Sequence, residues 1–380
     1  MNKTLKHYYI IIYNKLMNNY YILPKINNTI QIKIQADYQE VKPYISQTLI
    51  NYYNELENEI HLLIPNNRLS DYNDIINPYE YIFSTVPGSQ YSVSKLKPKS
   101  MMFYDLFEIF KNTSILEIYN REILNSLIVG VNYEDTLECL EMLRENYVND
   151  KFFCFYEYTQ KLYNIIEKNN FNFIIYEINN SININHYVIL LIEFILVIIN
   201  NLKENSNVIL KVNNLFYKPV IEIIYILSSF FEKIIIIKPN TCNITNFDKY
   251  IILQKFKVNQ SNFEMKNNYT TIFKNFIRNY NENNVNEKYE INIHSIINFE
   301  LPYYFLNKID DINIIIGQQQ LETFNQLINL LKSSNKETHM DVLKKKNIQK
   351  SVNWCERYNI PCNKFSDKIN VFLPLLIEHD

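Results

Sequence analysis

The sequence predicts a doubly wound α/β domain: a mostly parallel sheet covered on both faces, with an antiparallel edge hairpin and extensions at both ends. Three observations lead there. From Ser100 to Phe256, short apolar runs alternate with segments whose apolar residues recur at helical spacing. The runs are apolar throughout instead of alternating, as strands buried on both faces require. The last two runs, KIIIIKP (233–239) and KYIILQKF (249–256), are joined by a loop with no helical pattern, so they pair as a hairpin.

Residues 1–93 form an N-terminal α+β extension, with a strand expected over 30–36, a helix over 46–63 and a turn-rich stretch ending in TVPGSQYS. The domain proper is expected over 94–256. SMMFYDLFEIFKN (100–112) places apolar residues at 101, 102, 103, 106, 107, 109 and 110, a helical period. SLIVGV (126–131) reads as a buried strand, TLECLEMLRENY (136–147) as a helix, and KFFCFYEY (151–158) as a strand. QKLYNIIEK (160–168) is a short helix and FNFIIYE (171–177) the next strand. A buried helix over 187–202, a strand NVILKVN (207–213) and a helix 219–232 with proline in its first turn complete the alternation. The polar, Asn-rich stretch 257–285 reads as a linker or long loop. Residues 286–380 read as mainly helical, with helices near 318–332 and 336–357 and Trp354 as a helix anchor.

Composition narrows the classes. A chain of 380 residues can bury a sizeable core, which excludes a small scaffold stapled by disulfides. Its 38 basic and 40 acidic side chains, net charge -2, argue against a generic polyanion binder. Five scattered cysteines without a CxxC pair read as reduced thiols in a cytosolic-type compartment. The six histidines, His7, His61, His186, His294, His339 and His379, show no HxxxH spacing, so no metal site is expected. The start of the chain lacks the pattern of a signal peptide. The apolar run Tyr187–Ile199 contains Glu193 and falls short of the roughly 20 residues that span a bilayer, so a soluble protein is expected. With Ala36 as the single alanine and only three glycines, Gly88, Gly130 and Gly317, the coding sequence is expected to be A+T-rich.

The stretch NVILKVNNLFYKPVIEIIYILSSFFEKIIIIKPNTCNITNFDKYIILQKF (207–256) resembles the FtsJ-like RNA ribose 2′-O-methyltransferases. There a strand ending in Lys is followed by a loop and helix, a strand ending KP, a TS-rich loop, and an acidic residue before a Tyr-bearing strand. SMMFYDLFEI parallels the family helix S-x-A-x-x-K-L-x-E-I, and FNFIIYEINNS the strand ending in Asp-Gly. The likeness runs from about Ser94 to Phe256. NPYEYIFSTVPGSQYSVSKLKPKS and VNWCERYNIP are similar to segments flanking this domain in the FtsJ-like proteins of large cytoplasmic DNA viruses. The resemblance implies a Rossmann-like methyltransferase sheet, S-adenosylmethionine as cofactor, capped mRNA as substrate, and a cytoplasmic or virion location.

The family carries a Lys-Asp-Lys-Glu tetrad whose second lysine steers the proton of the ribose hydroxyl as the hydroxyl attacks the sulfonium methyl. Position by position these fall on Asp105, Glu177, Lys211 and Asp248. Three positions keep their charge sign and Asp105 inverts it. Three acids around Lys211 would raise its pKa and spoil it as a base near neutrality. Taken without the resemblance, Glu177, Lys211 and Asp248 are strand-end polar residues and Asp105 a solvated helix residue.

The family's first strand is followed by a glycine-rich loop, because the backbone must approach the cofactor closely. Aligning SLIVGVNYEDTLECL with it leaves Gly130 near the strand end, Asn132 in the loop, and Tyr133, Glu134 and Asp135 where Pro-Gly-Gly would stand. A second register, on ILEIYNREI (115–123), has no glycine at all. Glu157, at the end of KFFCFYEY, takes the place of a ribose-binding carboxylate. The short span from Glu157 to Glu177 implies one strand–helix unit fewer than in the family. KLKPKS, with Lys95, Lys97 and Lys99, and Lys344–Lys346 are candidate RNA contacts, against the plainer reading of solvated surface.

Three functions follow. The leading expectation is a catalytically degenerate homologue that serves RNA processing as a binding or stimulatory subunit, partnered by an active enzyme. The second is an active S-adenosylmethionine-dependent 2′-O-methyltransferase. The third is a structural or virion-associated protein.

Overall fold

The computed structural model describes residues 20–26, 30–157, 169–178, 183–257, 260–286 and 291–363, with only the backbone for 65–68, 260–265, 281 and 283–286. The helix expected over 160–168, and His7 and His379, lie outside them. The chain divides into two compact units, Met1–Ile50 with Ile115–Pro239 and Phe247–Gly317, and Asn51–Ser114 with Asn240–Asn246 and Gln318–Asp380. The stretches 94–114 and 240–246, read as parts of the sheet domain, thus belong to the second unit.

The first unit is built on a seven-stranded, mostly parallel sheet flanked by helices, consistent with a Rossmann-like fold. Its strands are β1 (Tyr20–Ile22), β3 (Asn125–Val129), β4 (Lys151–Phe155), β5 (Phe171–Glu177), β6 (Leu202–Val212), β7 (Phe231–Ile237) and β8 (Lys249–Phe256). They lie in the order β1-β7-β8-β6-β5-β3-β4. β4, β3, β5 and β6 are mutually parallel; β8 runs against both its neighbours. The apolar cores of β3, β5, β6 (Val208–Leu210) and β8 are buried on both faces, as a covered sheet requires.

The hairpin β7–β8 forms as expected, but it is not the edge. β8 is inserted between β6 and β7, and β1 closes the sheet by pairing antiparallel to β7 from Tyr20↔Ile237 to Ile22↔Ile235. The N-terminal segment thereby covers backbone groups that a bare β7 would leave unpaired.

Helix α4 (Tyr133–Leu143) follows β3, α5 (Ile184–Asn201) follows β5, and α6 (Lys218–Phe230) follows β6. Asn183 caps α5 by accepting from the backbone N–H groups of Asn185 and His186. The 18 residues of α5 are long and apolar enough to cross a membrane by composition alone, yet 72% of them are buried in this unit. A membrane-length helix is therefore accounted for as core.

A second, two-stranded sheet pairs β2 (Ile32–Asp37) with β9 (Asn292–Ile297). Glu222 of α6, fully buried, anchors it. Its carboxylate accepts from the Ile296 backbone N–H at 2.5 Å and from the Ser295 hydroxyl at 2.9 and 3.0 Å, with Lys218 at 3.8 Å.

The expected linker 257–285 is instead helix α7 (Gln260–Asn286). Tyr269 and Phe273 are fully buried, and Ile272, Phe276, Ile277 and Tyr280 pack on the same core. These positions form a helical stripe, and its burial outweighs the poor helix propensity of the intervening asparagines.

The second unit contains most of α1 (Gln47–Leu63), the short α2 (Asn73–Ile76), α3 (Met102–Thr113), the second half of α8 (Tyr303–Lys332) and α9 (Lys336–Arg357). One cluster of its core joins Ile60, Ile64, Ile76, Phe324, Leu327 and Ile328. Glu108 of α3 is a second centre. It accepts from Trp354 Nε1 at 2.8 Å and from Asn240 Nδ2 and N at 2.7 and 3.1 Å. The expected anchoring role of Trp354 thus has a specific partner.

Candidate functional site

The carboxyl ends of parallel strands are where open α/β sheets place their sites, since loops and helix N-termini converge there. In the first unit a cavity of about 250 Å³ opens at these ends, lined by Val131, Glu177, Ile178, Lys211, Val212, Asn213 and Asp248. Three of the four positions inferred for catalysis, Glu177, Lys211 and Asp248, thus meet around one space.

Register produces this meeting. Glu177 is the last residue of β5 and stands opposite Lys211 on β6. Lys211 in turn stands opposite Tyr250 on β8, two residues after Asp248. Lys211 Nζ donates to Glu177 Oε1 at 2.8 Å, with the glutamate almost buried and the lysine 17% exposed. Asp248 is held through its backbone, whose carbonyl accepts from Lys238 Nζ at 3.0 Å. Lys238 is the lysine of the KP pair, so that motif positions the acidic residue ten places further on.

Glu177 has further partners. The Asn132 backbone N–H donates to Oε2 at 3.0 Å, and Asn132 Nδ2 donates to Oε1 and Oε2 at 2.9 and 3.2 Å. Asn132 directly precedes α4, so the carboxylate takes a helix N-terminal amide, a donor that in such folds is offered to anionic ligands. Gly130 sits beneath it with φ +151°. A Cβ there would lie 2.5 Å from Glu177 Cβ and 2.8 Å from Oε2. The glycine allows a close approach, and the group that approaches is a side chain of the protein, where the sequence reading expected a cofactor.

Tyr133, Glu134 and Asp135 are not loop residues. They form the first turn of α4, with Asp135 buried, and the loop proper is the three residues Gly130, Val131 and Asn132. Acidic residues in that turn suit the helix dipole. Glu157 is exposed just beyond β4. Neither Glu157 nor Glu134 lines the cavity described above.

Asp105 lies in the second unit. It is buried on α3 and accepts from the Thr241 hydroxyl at 2.5 Å, so it is not a solvated helix residue. Lys95, Lys97 and Lys99 are exposed in the second unit, with Lys97 over the Tyr91 ring at 5.9 Å. Lys344 faces Asp74 at 3.4 Å.

Sequence reasoning missed two contributors. Tyr187 of α5, wholly buried, accepts from the Asn213 backbone N–H at 3.3 Å. Burial, and then the charge of Asp248, raises its phenol above the ordinary range. Only the polar edge of Tyr187 in an otherwise apolar run could have signalled it. Asn213 lies just beyond the matched lysine strand and lines the cavity.

The arrangement offers an oriented ammonium and carboxylates around a small opening, with Tyr187 behind it holding the Asn213 backbone. Among the described residues no three His, Cys, Asp or Glu side chains form a metal-binding group. No protein-family model and no curated protein matches the chain. The fold is that of an α/β protein consistent with a Rossmann-like sheet, and it carries a lysine–carboxylate cluster at its strand ends.

Proposed function

We propose that this chain is an FtsJ-like RNA 2′-O-methyltransferase homologue that has kept the lysine end of the site and filled the cofactor end. It then acts in RNA processing as a binding or stimulatory subunit for an active partner, with capped mRNA as the shared ligand. The carrying observation is the position of Glu177. Where the resemblance places aspartate, glutamate is one methylene longer, and it lies over Gly130 and takes the Asn132 amide. In an enzyme of this class that turn is needed by S-adenosylmethionine. A cofactor carboxylate arriving there would meet an anion already saturated with donors, a repulsion as well as a loss of space.

Two further points support the reading. A cavity of about 250 Å³ lies below the roughly 300–1,000 Å³ typical of small-molecule sites. The convergence of Lys211, Glu177 and Asp248 on it matches the order of the resembled motifs, and would be hard to understand in a chain unrelated to that chemistry.

Calorimetric titration of the purified chain with S-adenosylmethionine tests the proposal. No heat is expected at millimolar cofactor. Micromolar binding, with methyl transfer to capped RNA abolished by Lys211→Ala, would establish instead an active methyltransferase. Failure to bind capped RNA or to stimulate any methyl transfer would leave the structural role.

A further inference from the structure

Cys355 and Cys362 occupy a backbone motif that brings their side chains to the same side. α9 ends in a left-handed reversal. Asn359 has φ +56°, its N–H bonds to the Glu356 carbonyl at 3.2 Å, and the Ile360 N–H bonds to the Cys355 carbonyl at 2.9 Å. This six-to-one and five-to-two pair is a Schellman ending, which brings the residue after the reversal, here Ile360, against the one five places earlier, Cys355. Pro361 prevents the helix from resuming.

The chain then runs extended alongside residues 93–95. Lys95 N–H bonds to the Pro361 carbonyl and Asn363 N–H to the Val93 carbonyl, each at 2.8 Å, and Cys362 bridges antiparallel to Ser94. In extended chain, side chains two apart share a side, so Cys362 follows Ile360 toward Cys355. All these residues belong to the second unit.

We infer that Cys355 and Cys362 are a redox pair, reduced at rest and closed to an intramolecular disulfide by a peroxide. The half-buried Cys362 is the entry point, and Cys355, fully buried, resolves it. The Cys362 thiolate attacks the peroxide, an S–O bond forms, the O–O bond breaks, and water leaves after protonation. The Cys355 sulfur then attacks Cys362 Sγ, the S–S bond forms, the S–O bond breaks and a second water leaves. Each thiol has given up one electron and one proton, and the peroxide has been reduced to two waters.

Burial, and then the charge of Cys362, pushes the Cys355 thiol up to about 12, so the two sulfurs feel one another and Cys355 does not react first. Closure would pin 361–363 against the strip that carries Lys95, Lys97 and Lys99.

The test uses the full wild-type chain. Trypsin cuts after Lys350, Arg357 and Lys364, so a bridge joins peptides 351–357 and 358–364, which otherwise separate. After reduction, mild hydrogen peroxide and alkylation, the linked pair is expected two hydrogen masses below the sum of the free peptides. It should revert with dithiothreitol, while Cys139, Cys154 and Cys242 stay alkylatable. Cys362→Ser should lose the link, with Cys355 alkylated after unfolding. Cys362 recovered as sulfinic acid beside an intact Cys355 thiol would overturn the pairing, as would a link from either cysteine to another.

Discussion

Glu177 stands directly over Gly130. A side chain at residue 130 would begin 2.5 Å from the glutamate's Cβ, and the carboxylate is fixed there by Asn132 on one side and Lys211 on the other. One carboxylate therefore closes the first strand–helix turn of the sheet and orients the site's lysine.

Gly130→Ala should be costly, since it meets both a positive φ and a backbone-proximal clash. A loss of about 2–4 kcal/mol in urea unfolding is expected, well above an ordinary glycine-to-alanine change in a loop. A neutral result would mean that Glu177 moves away freely, removing the main support for a filled cofactor turn.

Removing the two ends of the ion pair should not be equivalent. Glu177→Ala strips partners from Lys211 and from the Asn132 amide and is expected to cost about 3–5 kcal/mol. Lys211→Met leaves the carboxylate its Asn132 donors and should cost about 1–2 kcal/mol. Chemical denaturation of both variants, with the double variant to give the coupling, checks the order.

Glu193 gives the first unit a pH dependence. Burial in α5 pushes its carboxyl up to about 7 from an ordinary 4.5. A raised carboxyl pKa means that the folded state holds the proton more tightly. Its stabilising contribution is full below pH 4.5, falls as pH rises to about 7, and is flat beyond. The drop should be about 3 kcal/mol at most. In Glu193→Gln this fall should disappear, leaving the variant more stable than wild type at pH 8 and equal at pH 4; thermal melts across that range decide it.

Glu222→Ala should release the β2–β9 sheet, because the Ile296 amide and Ser295 hydroxyl lose a buried acceptor. About 3–5 kcal/mol is expected. Hydrogen exchange should accelerate at Ile296 and Ile297 before it does at β5 or β6.

Trp354 is the chain's single tryptophan, and its indole donates to buried Glu108. Its emission therefore reports the second unit. Glu108→Ala orphans the indole N–H and the Asn240 donors, so a shifted emission maximum and a loss of about 2–4 kcal/mol in the fluorescence-detected transition are expected.

Much of this architecture is legible in the chain because its signal is local. FNFIIYE and KYIILQKF could be placed to the residue, since continuous β-branched and aromatic runs leave few alternatives to a buried strand. α7 was not legible: its stripe of Tyr269, Phe273 and Phe276 is diluted by asparagines that favour loops, and only the core it packs on decides the matter. The edge was misplaced for a similar reason. A three-residue strand such as β1 carries too little pattern to announce its partner.

The sequence by itself determined the alternation of strands and helices, the lysine and carboxylates at strand ends, and the presence of one glycine after the first sheet-domain strand. Those depend on periodicity and on the order of short segments, which the chain carries locally. Only the tertiary structure decided that Glu177 reaches across 45 residues to Asn132 and across 34 to Lys211, and that Asp105 bonds to Thr241 within the second unit. Register between neighbouring strands sets such meetings. Glu177 settles on Gly130 only because two parallel strands, β3 and β5, end side by side.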